Sequence, residues 1–294
     1  MEYQECIQRA IDFIEDNISN PITLRDLAEV ACFSPFHFHR VFQLLAGEPV
    51  MDYVRRRRLA ISALFLLDPK RKVLDIALDC GFQSHESFNR AFKRCYGVSP
   101  SQYRNGKPLA SRLQEKACLK TYILRGGTYM EPKIVVKPGF HLIGYELKTS
   151  ISEGRNRREI PEFWQNYLQN RLWENIPQPK HPRVELGICT DFNPDDESFV
   201  YIIGMEVEEG AEAPEGLIVR EFPECEYTVF TTPKASEAEF SSSIHSTWDY
   251  AIQTWFPSSG YEHGGGAEIE WYDERSSGSK DKQMDIYIPI KKRG

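Results

Sequence analysis

A stretch near residue 85 places side chains that can hydrogen-bond to DNA bases on one side of a predicted helix. Gly81 is predicted to end the preceding helix, and Ser84 is a favourable N-cap for the next one. The outward side chains on this helix are His85, Glu86, Ser87, Asn89 and Arg90. Arginine pairs well with guanine, asparagine with adenine, and glutamate with the cytosine amine. The chemistry suggested here is recognition of base edges in a major groove.

The same arrangement occurs fifty residues earlier. Ser34 is a predicted N-cap, and Pro35 follows at the first helical position, where a missing N–H costs nothing. The positions predicted to face outward from this second helix are Phe36, His37, His39, Arg40 and Gln43. Because one helix reads only a few base pairs, the two copies predict reading of successive segments of one groove, roughly 34 Å apart.

Several further helices must position these two reading helices. An amphipathic helix is predicted over 5–18, and a short apolar helix precedes each reading helix. A long helix over about 50–67 is predicted to bridge two small apolar cores. It carries the run Arg55-Arg56-Arg57-Arg58, which is compatible either with phosphate contacts or with a solvated helix face that forms salt bridges.

Many fixed positions between Leu27 and Arg104 form one pattern. They include Ser34-x-x-x-Phe-x-Arg-x-Phe, Gly81-Phe-x-Ser, Phe88-x-Arg-x-Phe-Lys and Gly97-x-Ser-Pro-x-x-Tyr-Arg. This pattern resembles the DNA-binding domain of the AraC/XylS family of transcription regulators. The resemblance implies an all-α N-terminal domain of two helix-turn-helix units joined by a linker helix. It also implies control of transcription, with double-stranded promoter or operator DNA and RNA polymerase as partners.

The C-terminal half has the alternation of β-strands. An extended segment over 134–147, bent at Pro138-Gly139, precedes a helix and two strands. The order repeats about 83 residues later, where Leu217-Ile-Val-Arg matches Ile134-Val-Val-Lys. We therefore predict an α+β domain of two β-α-β-β repeats with a groove between the halves. The predicted organisation of the chain is a first domain over 1–107, a linker with one short helix over 108–130, and a second domain over 131–292.

A second resemblance lies near the end of the chain. The segments Trp255-Phe-Pro-Ser-Ser-Gly-Tyr-Glu and Ile269-Glu-Trp-Tyr are similar to the closing motif of GyrI-like effector-binding domains. Together with the first resemblance, this implies a regulator of the Rob type. The same tail is similar to the multidrug-sensing domain of BmrR-type regulators.

Aromatic and acidic residues of this half suggest a small-molecule site. All five tryptophans lie there. Aromatic faces suit flat apolar molecules and cations. Strand alternation places Glu185 on one face of its strand and Glu270 on one face of another, so one of them could stand among aromatic rings, or both could simply meet water. The predicted ligand-binding residues are Trp164, Glu185, Trp255, Glu270 and Tyr272, with His245 and His263 as possible flanking residues.

Three hypotheses for the C-terminal half follow. The first is a sensor of a small hydrophobic or cationic aromatic ligand. The second is a hydrolase in which Glu270 acts as general base. The third is a docking domain for a protein partner. We expect no cofactor, no metal and no enzymatic activity, because no catalytic triad, metal-ligand spacing or phosphate-binding loop stands out in the sequence.

Composition agrees with a cytoplasmic DNA-binding protein. The net charge is −7, but residues 1–107 carry 15 basic and 13 acidic side chains, whereas the remainder carries 21 and 30. DNA binding needs a local basic face rather than a basic chain. The seven cysteines lack Cys-x-x-Cys spacing and are expected to be reduced thiols, with redox sensing as the alternative. We recognise no signal peptide and no apolar run long enough to span a membrane.

Overall fold

The computed structural model describes residues 3–106, 130–278 and 280–293. These residues fall into two compact units, one in each half of the chain. The predicted linker over 108–130 lies outside the described residues except for its last position, Met130. The predicted domain boundaries stay predictions.

The first unit is helical throughout its regular elements, as the sequence predicts. Its helices are α1 (Tyr3–Asp16), α2 (Leu24–Ala31), α3 (Pro35–Ala46), α4 (Val50–Phe65), α5 (Val73–Asp79), α6 (His85–Tyr96) and α7 (Pro100–Asn105). The pairs α2–α3 and α5–α6 form the two helix-turn-helix motifs. Both reading helices begin at the predicted caps: the Ser34 hydroxyl accepts from the His37 N–H, and the Ser84 hydroxyl accepts from the Ser87 N–H.

Helix α4 takes part in two apolar cores. Near its start, Tyr53 and Val54 are buried, and the Tyr53 ring packs against Phe42 of α3 while its hydroxyl donates to Glu15 of α1. Further along, Leu59 and Ala63 pack in a second cluster that includes Phe88 and Phe92 of α6. The buried apolar residues lie on one side of α4 near its start and on another side further along. Each helix-turn-helix motif therefore packs against the same helix.

The second unit is built on one nine-stranded sheet with helices. In chain order its elements are β1 (Lys133–Lys137), β2 (Phe140–Ser150), α8 (Arg155–Gln169), β3 (Glu185–Asn193), β4 (Ser198–Val207), β5 (Ile218–Phe222), β6 (Cys225–Thr231), α9 (Phe240–Tyr250), α10 (Phe256–Ser259), β7 (Tyr261–His263), β8 (Glu268–Tyr272) and β9 (Asp285–Lys292). The strand order is β1-β6-β9-β8-β3-β4-β2-β5, and β7 pairs with β9. This confirms an α+β domain.

The strand order is symmetric about the contact between β3 and β8, as an internal duplication predicts. One detail differs from the prediction. The bend at Pro138-Gly139 divides the first strand of the first repeat into two strands, β1 and β2. Strand β1 pairs with β6, and β2 pairs with β5, so each bent segment joins the other repeat. Proline has no N–H for a continuous ladder, and the chain changes partner at that residue. Each repeat therefore contains four main strands around its helical segment.

Candidate functional site

The outer side of α6 presents polar and charged groups. His85, Glu86 and Arg90 are exposed, and Asn89 is half-buried. The Asn89 amide nitrogen lies 3.1 Å from Nδ1 of His85, so these two side chains are already ordered on the helix surface. The Ser87 hydroxyl is used differently, because it donates to the Ser84 carbonyl oxygen within the N-terminal cap. It therefore helps to form the start of the helix.

Helix α3 exposes less than the sequence predicts, and the predicted outward position of two histidines is wrong. His37 is 2% exposed and His39 is fully buried. The His37 Nε2 lies 2.9 Å from the Tyr3 hydroxyl. Helix α1 covers this side of α3, which makes its buried stripe wider than the apolar residues alone indicate.

The remaining predicted residues of α3 are partly accessible. Phe36, Arg40 and Gln43 are half-buried. The Arg40 guanidinium carbon lies 5.2 Å from the centroid of the Phe36 ring, a cation–π distance. The first reading surface thus combines an aromatic face, one cation and one amide.

The four consecutive arginines of α4 all have partners within the first unit. Arg55 pairs with Asp52, Arg56 with Glu48 and Arg57 with Glu15, at nitrogen-to-oxygen distances of 2.7 to 2.8 Å. Arg58 instead donates to backbone carbonyls, as the hydrogen bonds of its Nε, Nη1 and Nη2 atoms show. These contacts favour the structural interpretation of the run over dedicated phosphate contacts.

In the second unit, Glu270 is the centre of a hydrogen-bonded aromatic group. Its Oε2 accepts from the Tyr201 hydroxyl at 2.7 Å and from the Tyr272 hydroxyl at 3.1 Å. The Trp164 indole N–H donates to the Tyr201 oxygen at 2.8 Å. Burial raises the pKa of Tyr201 and of Tyr272 well above the ordinary value, and the nearby Glu270 charge raises both further. Both phenols are therefore protonated donors.

The residue opposite Glu270 in the sheet is Gly187. A Cβ at Gly187 would lie 2.3 Å from the Tyr201 hydroxyl oxygen and 3.1 Å from Glu270 Oε2. Any larger residue would occupy the place where phenol and carboxylate meet. The glycine thus allows side chains from β4 and β8 to meet above β3.

Helix α8 contributes the aromatic side of this group. The Trp164 ring lies 4.7 Å from the Tyr272 ring and 5.8 Å from the Tyr167 ring, in edge-to-face geometry. Tyr145 of β2 packs against Tyr167 at 6.2 Å. The Tyr167 hydroxyl is buried without a hydrogen-bond partner among the described residues.

Glu185 lies on the same face of the sheet as Glu270. It is opposite Tyr272 in the register, two residues from the Gly187–Glu270 pair. Burial raises the pKa of Glu185 above its ordinary value. Its charge is also a secondary cause of the raised pKa of Tyr167, after burial of that ring. Two carboxyl groups therefore lie near the same aromatic rings: Glu270 accepts hydrogen bonds from two phenols, and Glu185 has a pKa raised by burial.

The other predicted residues of this half lie elsewhere. Trp255 stacks on Tyr261 at 5.9 Å and packs edge-to-face with Phe230, in a different aromatic cluster. His245 is exposed. His263 is buried, with Nε2 3.2 Å from the Glu268 carboxylate, while Nδ1 accepts from the backbone N–H of Gly265. That pair holds the glycine-rich loop against the sheet.

Comparison with known families accounts for this arrangement. Residues 133–290 match the family of integron-associated effector binding proteins, Cass2, over more than half of the chain. The chain belongs to this family. Residues 27–106, upstream of the Cass2 domain, match a helix-turn-helix domain family of the AraC type. The chain thus combines an AraC-type helix-turn-helix domain with a Cass2, GyrI-like effector-binding domain.

Two known proteins are similar to parts of this chain. The chain is 37% identical over 161 residues to the uncharacterized HTH-type transcriptional regulator YbfP of Bacillus subtilis, which corresponds to 53% of this chain and 50% of YbfP. It thus spans about half the length of that relative. It is 33% identical over 105 residues to the regulatory protein SoxS of Escherichia coli, covering 36% of this chain and 98% of SoxS.

Among solved structures, the Cass2 half is similar to SAV2435 bound to tetraphenylphosphonium. The TM-score is 0.46 at 18% identity, and the match covers 55% of this chain and 94% of that one. Within the described part of the chain, no helix has the length and hydrophobicity needed to cross a bilayer. The same residues contain no group of three or more His, Cys, Asp or Glu side chains that could hold a metal ion.

Two residues of the hydrogen-bonded aromatic group around Glu270 were not predicted from the sequence. Tyr201 links Trp164 to Glu270, and Tyr167 lies fully buried beside Trp164. The signal for Tyr201 was a single hydroxyl inside the otherwise apolar strand Phe199–Met205. A buried tyrosine usually seeks a partner for its hydroxyl, which in this case is the carboxylate.

Proposed function

We propose that this protein binds double-stranded DNA through α3 and α6, and that a small hydrophobic cation bound at Glu270 changes its regulatory output. The proposed base-reading residues are Phe36, Arg40, Gln43, His85, Glu86, Asn89 and Arg90. The proposed ligand-binding residues are Trp164, Glu185, Glu270 and Tyr272, together with Tyr167 and Tyr201. RNA polymerase is a proposed partner in transcription, and the cytoplasm is the proposed location.

The DNA-binding proposal rests on the contrast between the two sides of α6. One side carries Phe88 and Phe92, which are fully buried, and the other carries the exposed Arg90 and Glu86. Exposed arginine and asparagine side chains at helical spacing can form paired hydrogen bonds with base edges. The first helix offers Arg40 beside the flat Phe36 ring, which suits contact with a base edge or a thymine methyl group.

The effector proposal rests on the Glu270 carboxylate. This acceptor stands among Tyr201, Tyr272 and Trp164, close to the apolar interior, and a carboxylate so placed is stabilised by an approaching cation. Aromatic faces add cation–π attraction for the same ligand. The chemistry required of the ligand is therefore a delocalised positive charge on an apolar body.

The DNA proposal can be tested by selecting sites from a random duplex library with the full-length protein. Arg90→Ala and Arg40→Ala should each reduce discrimination between selected and unselected duplexes, by about 1–3 kcal/mol for a lost bidentate contact. Lys70→Ala, an exposed position outside the reading helices, serves as control. Unchanged discrimination in the Arg40 and Arg90 double variant would contradict the assigned reading face.

The effector proposal can be tested with two probes of matched shape and opposite charge. Tetraphenylphosphonium should quench tryptophan fluorescence, whereas tetraphenylborate should not, and all five tryptophans lie in the second half of the chain. Glu270→Gln should weaken binding of the cation by tenfold or more, which corresponds to about 1.4 kcal/mol of binding free energy. Glu221→Gln, an exposed carboxylate on β5, should have no effect. Equal binding of both probes would contradict a carboxylate-centred site.

We also propose that the second half senses its ligand without transforming it. Glu270 already accepts hydrogen bonds from two phenols, so the oxygen that a general base would use is engaged. An electrophilic aromatic ester incubated with the protein should be recovered unchanged. Turnover that disappears in Glu270→Gln would instead support the hydrolase hypothesis.

A further inference from the structure

We propose that Arg58 is a positioning residue that locks the two helix-turn-helix motifs at one mutual orientation. The inference rests on the proposed reading of DNA by both α3 and α6. It concerns a residue that lies on neither reading helix and that contacts the backbone of the turns preceding α2 and α6.

The Arg58 guanidinium contacts the backbone on both sides of α4. Its Nε donates to the Ile18 carbonyl oxygen at 3.0 Å, and Nη2 donates to the Asn20 carbonyl oxygen at 2.7 Å. Both acceptors lie in the turn between α1 and α2. Its Nη1 donates at 3.0 Å to the carbonyl oxygen of Gly81, in the turn between α5 and α6. One rigid, planar group therefore joins the turn that leads into the first motif to the turn within the second motif.

The second motif is shaped to receive this group. Gly81 has a left-handed φ of +74°, and a Cβ there would lie 2.7 Å from Arg58 Cζ. Glycine is thus required both for the turn and for the close approach of the guanidinium. Because Ser84 caps α6 three residues later, the position of this turn sets the start of the second reading helix.

The chemistry of Arg58 differs from that of its neighbours in sequence. Arg55, Arg56 and Arg57 each pair with a carboxylate, whereas the recorded hydrogen bonds of Arg58 are to neutral carbonyls. Burial lowers the pKa of Arg58. A half-buried charge without an acidic partner is costly unless its donors are satisfied. Arginine can satisfy several carbonyls at fixed angles, which a lysine ammonium does not do in one plane.

Fixed orientation matters because both helices must enter one duplex together. A rigid pair loses little additional freedom on binding, so the second helix binds at a high effective concentration. If the motifs rotate about α4, each helix still fits its own DNA segment, but ordering both reduces affinity for the complete site. The hydrogen bonds of Arg58 should therefore strengthen binding to duplexes that contain both segments, but not to duplexes that contain only one.

The experiment uses the full-length protein and a duplex recovered by selection from a random library, with each half scrambled in turn. Arg58→Ala should weaken binding to the complete site by about tenfold while changing binding to each half-scrambled duplex by less than twofold. It should also reduce the loss caused by inserting one base pair between the halves. Gly81→Ala should reproduce this pattern, and Arg55→Ala should match the wild type.

The outcomes separate the inference from the proposed function. If the wild type binds complete and half-scrambled duplexes equally, two-helix reading itself is wrong. If the wild type prefers the complete site and Arg58→Ala weakens binding to all duplexes equally, the proposed role of Arg58 is wrong. Arg58→Lys keeps the charge and guards against a variant that fails to fold: it should give the same selective loss with a normal circular dichroism spectrum. The inference would also be overturned if Arg58→Lys and Arg58→Ala bound the complete site as tightly as the wild type does.

Discussion

The indole of Trp164 donates to the hydroxyl of Tyr201 at 2.8 Å, so a residue of α8 is tied to the central strand β4. The Tyr201 hydroxyl in turn donates a hydrogen bond to Glu270 Oε2 at 2.7 Å. This chain joins the aromatic wall to the acidic centre of the sheet. Occupation of Glu270 by a cation would therefore alter the hydrogen bonds that hold α8.

Removal of this link should measurably weaken the second unit. Trp164→Phe keeps an aromatic ring but loses the donor, and a lost hydrogen bond to a buried group costs ~1 kcal/mol. We expect a lower midpoint for the second unit in urea, followed by fluorescence of the remaining tryptophans. Trp173→Phe is a control of the same type, because the contacts recorded for Trp173 are with rings and a nearby arginine. Equal effects would show that the indole hydrogen bond contributes nothing.

The stability of the second unit should depend on Glu185 and pH. Burial raises the folded-state pKa of Glu185 above its ordinary value of 4.5. The stabilising contribution of Glu185 to the free energy of unfolding is therefore fully present below pH 4.5. It is lost as the pH rises through the folded-state pKa. Glu185→Gln cannot ionise, so it should unfold a few degrees higher than the wild type at pH 7.5 and at the same temperature at pH 4. Thermal unfolding at three pH values measures this difference, and a constant offset would contradict it.

The ion pair between Arg57 and Glu15 should contribute more than the other pairs of the arginine run. Arg57 Nε and Nη2 donate to the two Glu15 oxygens at 2.7 and 2.8 Å, and both side chains are largely buried. Arg57→Ala leaves the carboxylate buried, at a cost of about 3 kcal/mol. Arg55→Ala breaks a pair whose arginine is exposed, at a cost of about 0.5 kcal/mol. Urea unfolding of the first unit by circular dichroism compares them, and equal midpoints would contradict the ranking.

The buried histidine of α3 should affect folding rather than base selection. His37 Nε2 lies 2.9 Å from the Tyr3 hydroxyl, inside the contact between α1 and α3. His37→Ala should lower the thermal midpoint of the first unit and reduce binding to selected and unselected duplexes in the same proportion. Arg90→Ala should keep the midpoint and change their ratio. A changed ratio in His37→Ala would show that this side chain reaches DNA.

Local sequence signals were sufficient for the helices and for the class of both halves. The caps Ser34 and Ser84 and the left-handed Gly47 and Gly97 define both reading helices within a few residues. These devices satisfy backbone groups through neighbours in sequence, so their effect can be inferred without a fold. The alternation around Glu270 similarly placed Glu270 and Tyr272 together on one face of β8, because side chains alternate along any strand.

Contacts between distant segments required the tertiary structure. His37 and His39 are polar and are predicted to face outward, yet both are buried, and the Tyr3 hydroxyl of α1 lies against His37. The arginine run has no preferred partner in sequence until the fold places Glu15 beside Arg57 and the Gly81 turn beside Arg58. Strand pairing likewise brings Tyr201 to Glu270 across Gly187, over a separation of 69 residues.

The sequence by itself determined the elements, the two duplications and the chemical character of each half, because short-range spacing fixes periodicity, caps and turns. Only the tertiary structure decided which polar groups face outward and which meet inside, because helix packing and strand register select those neighbours. The Arg58 contacts illustrate the division. The sequence provides an arginine and a turn glycine 23 residues apart, and the packing of α4 brings the guanidinium to the Gly81 carbonyl.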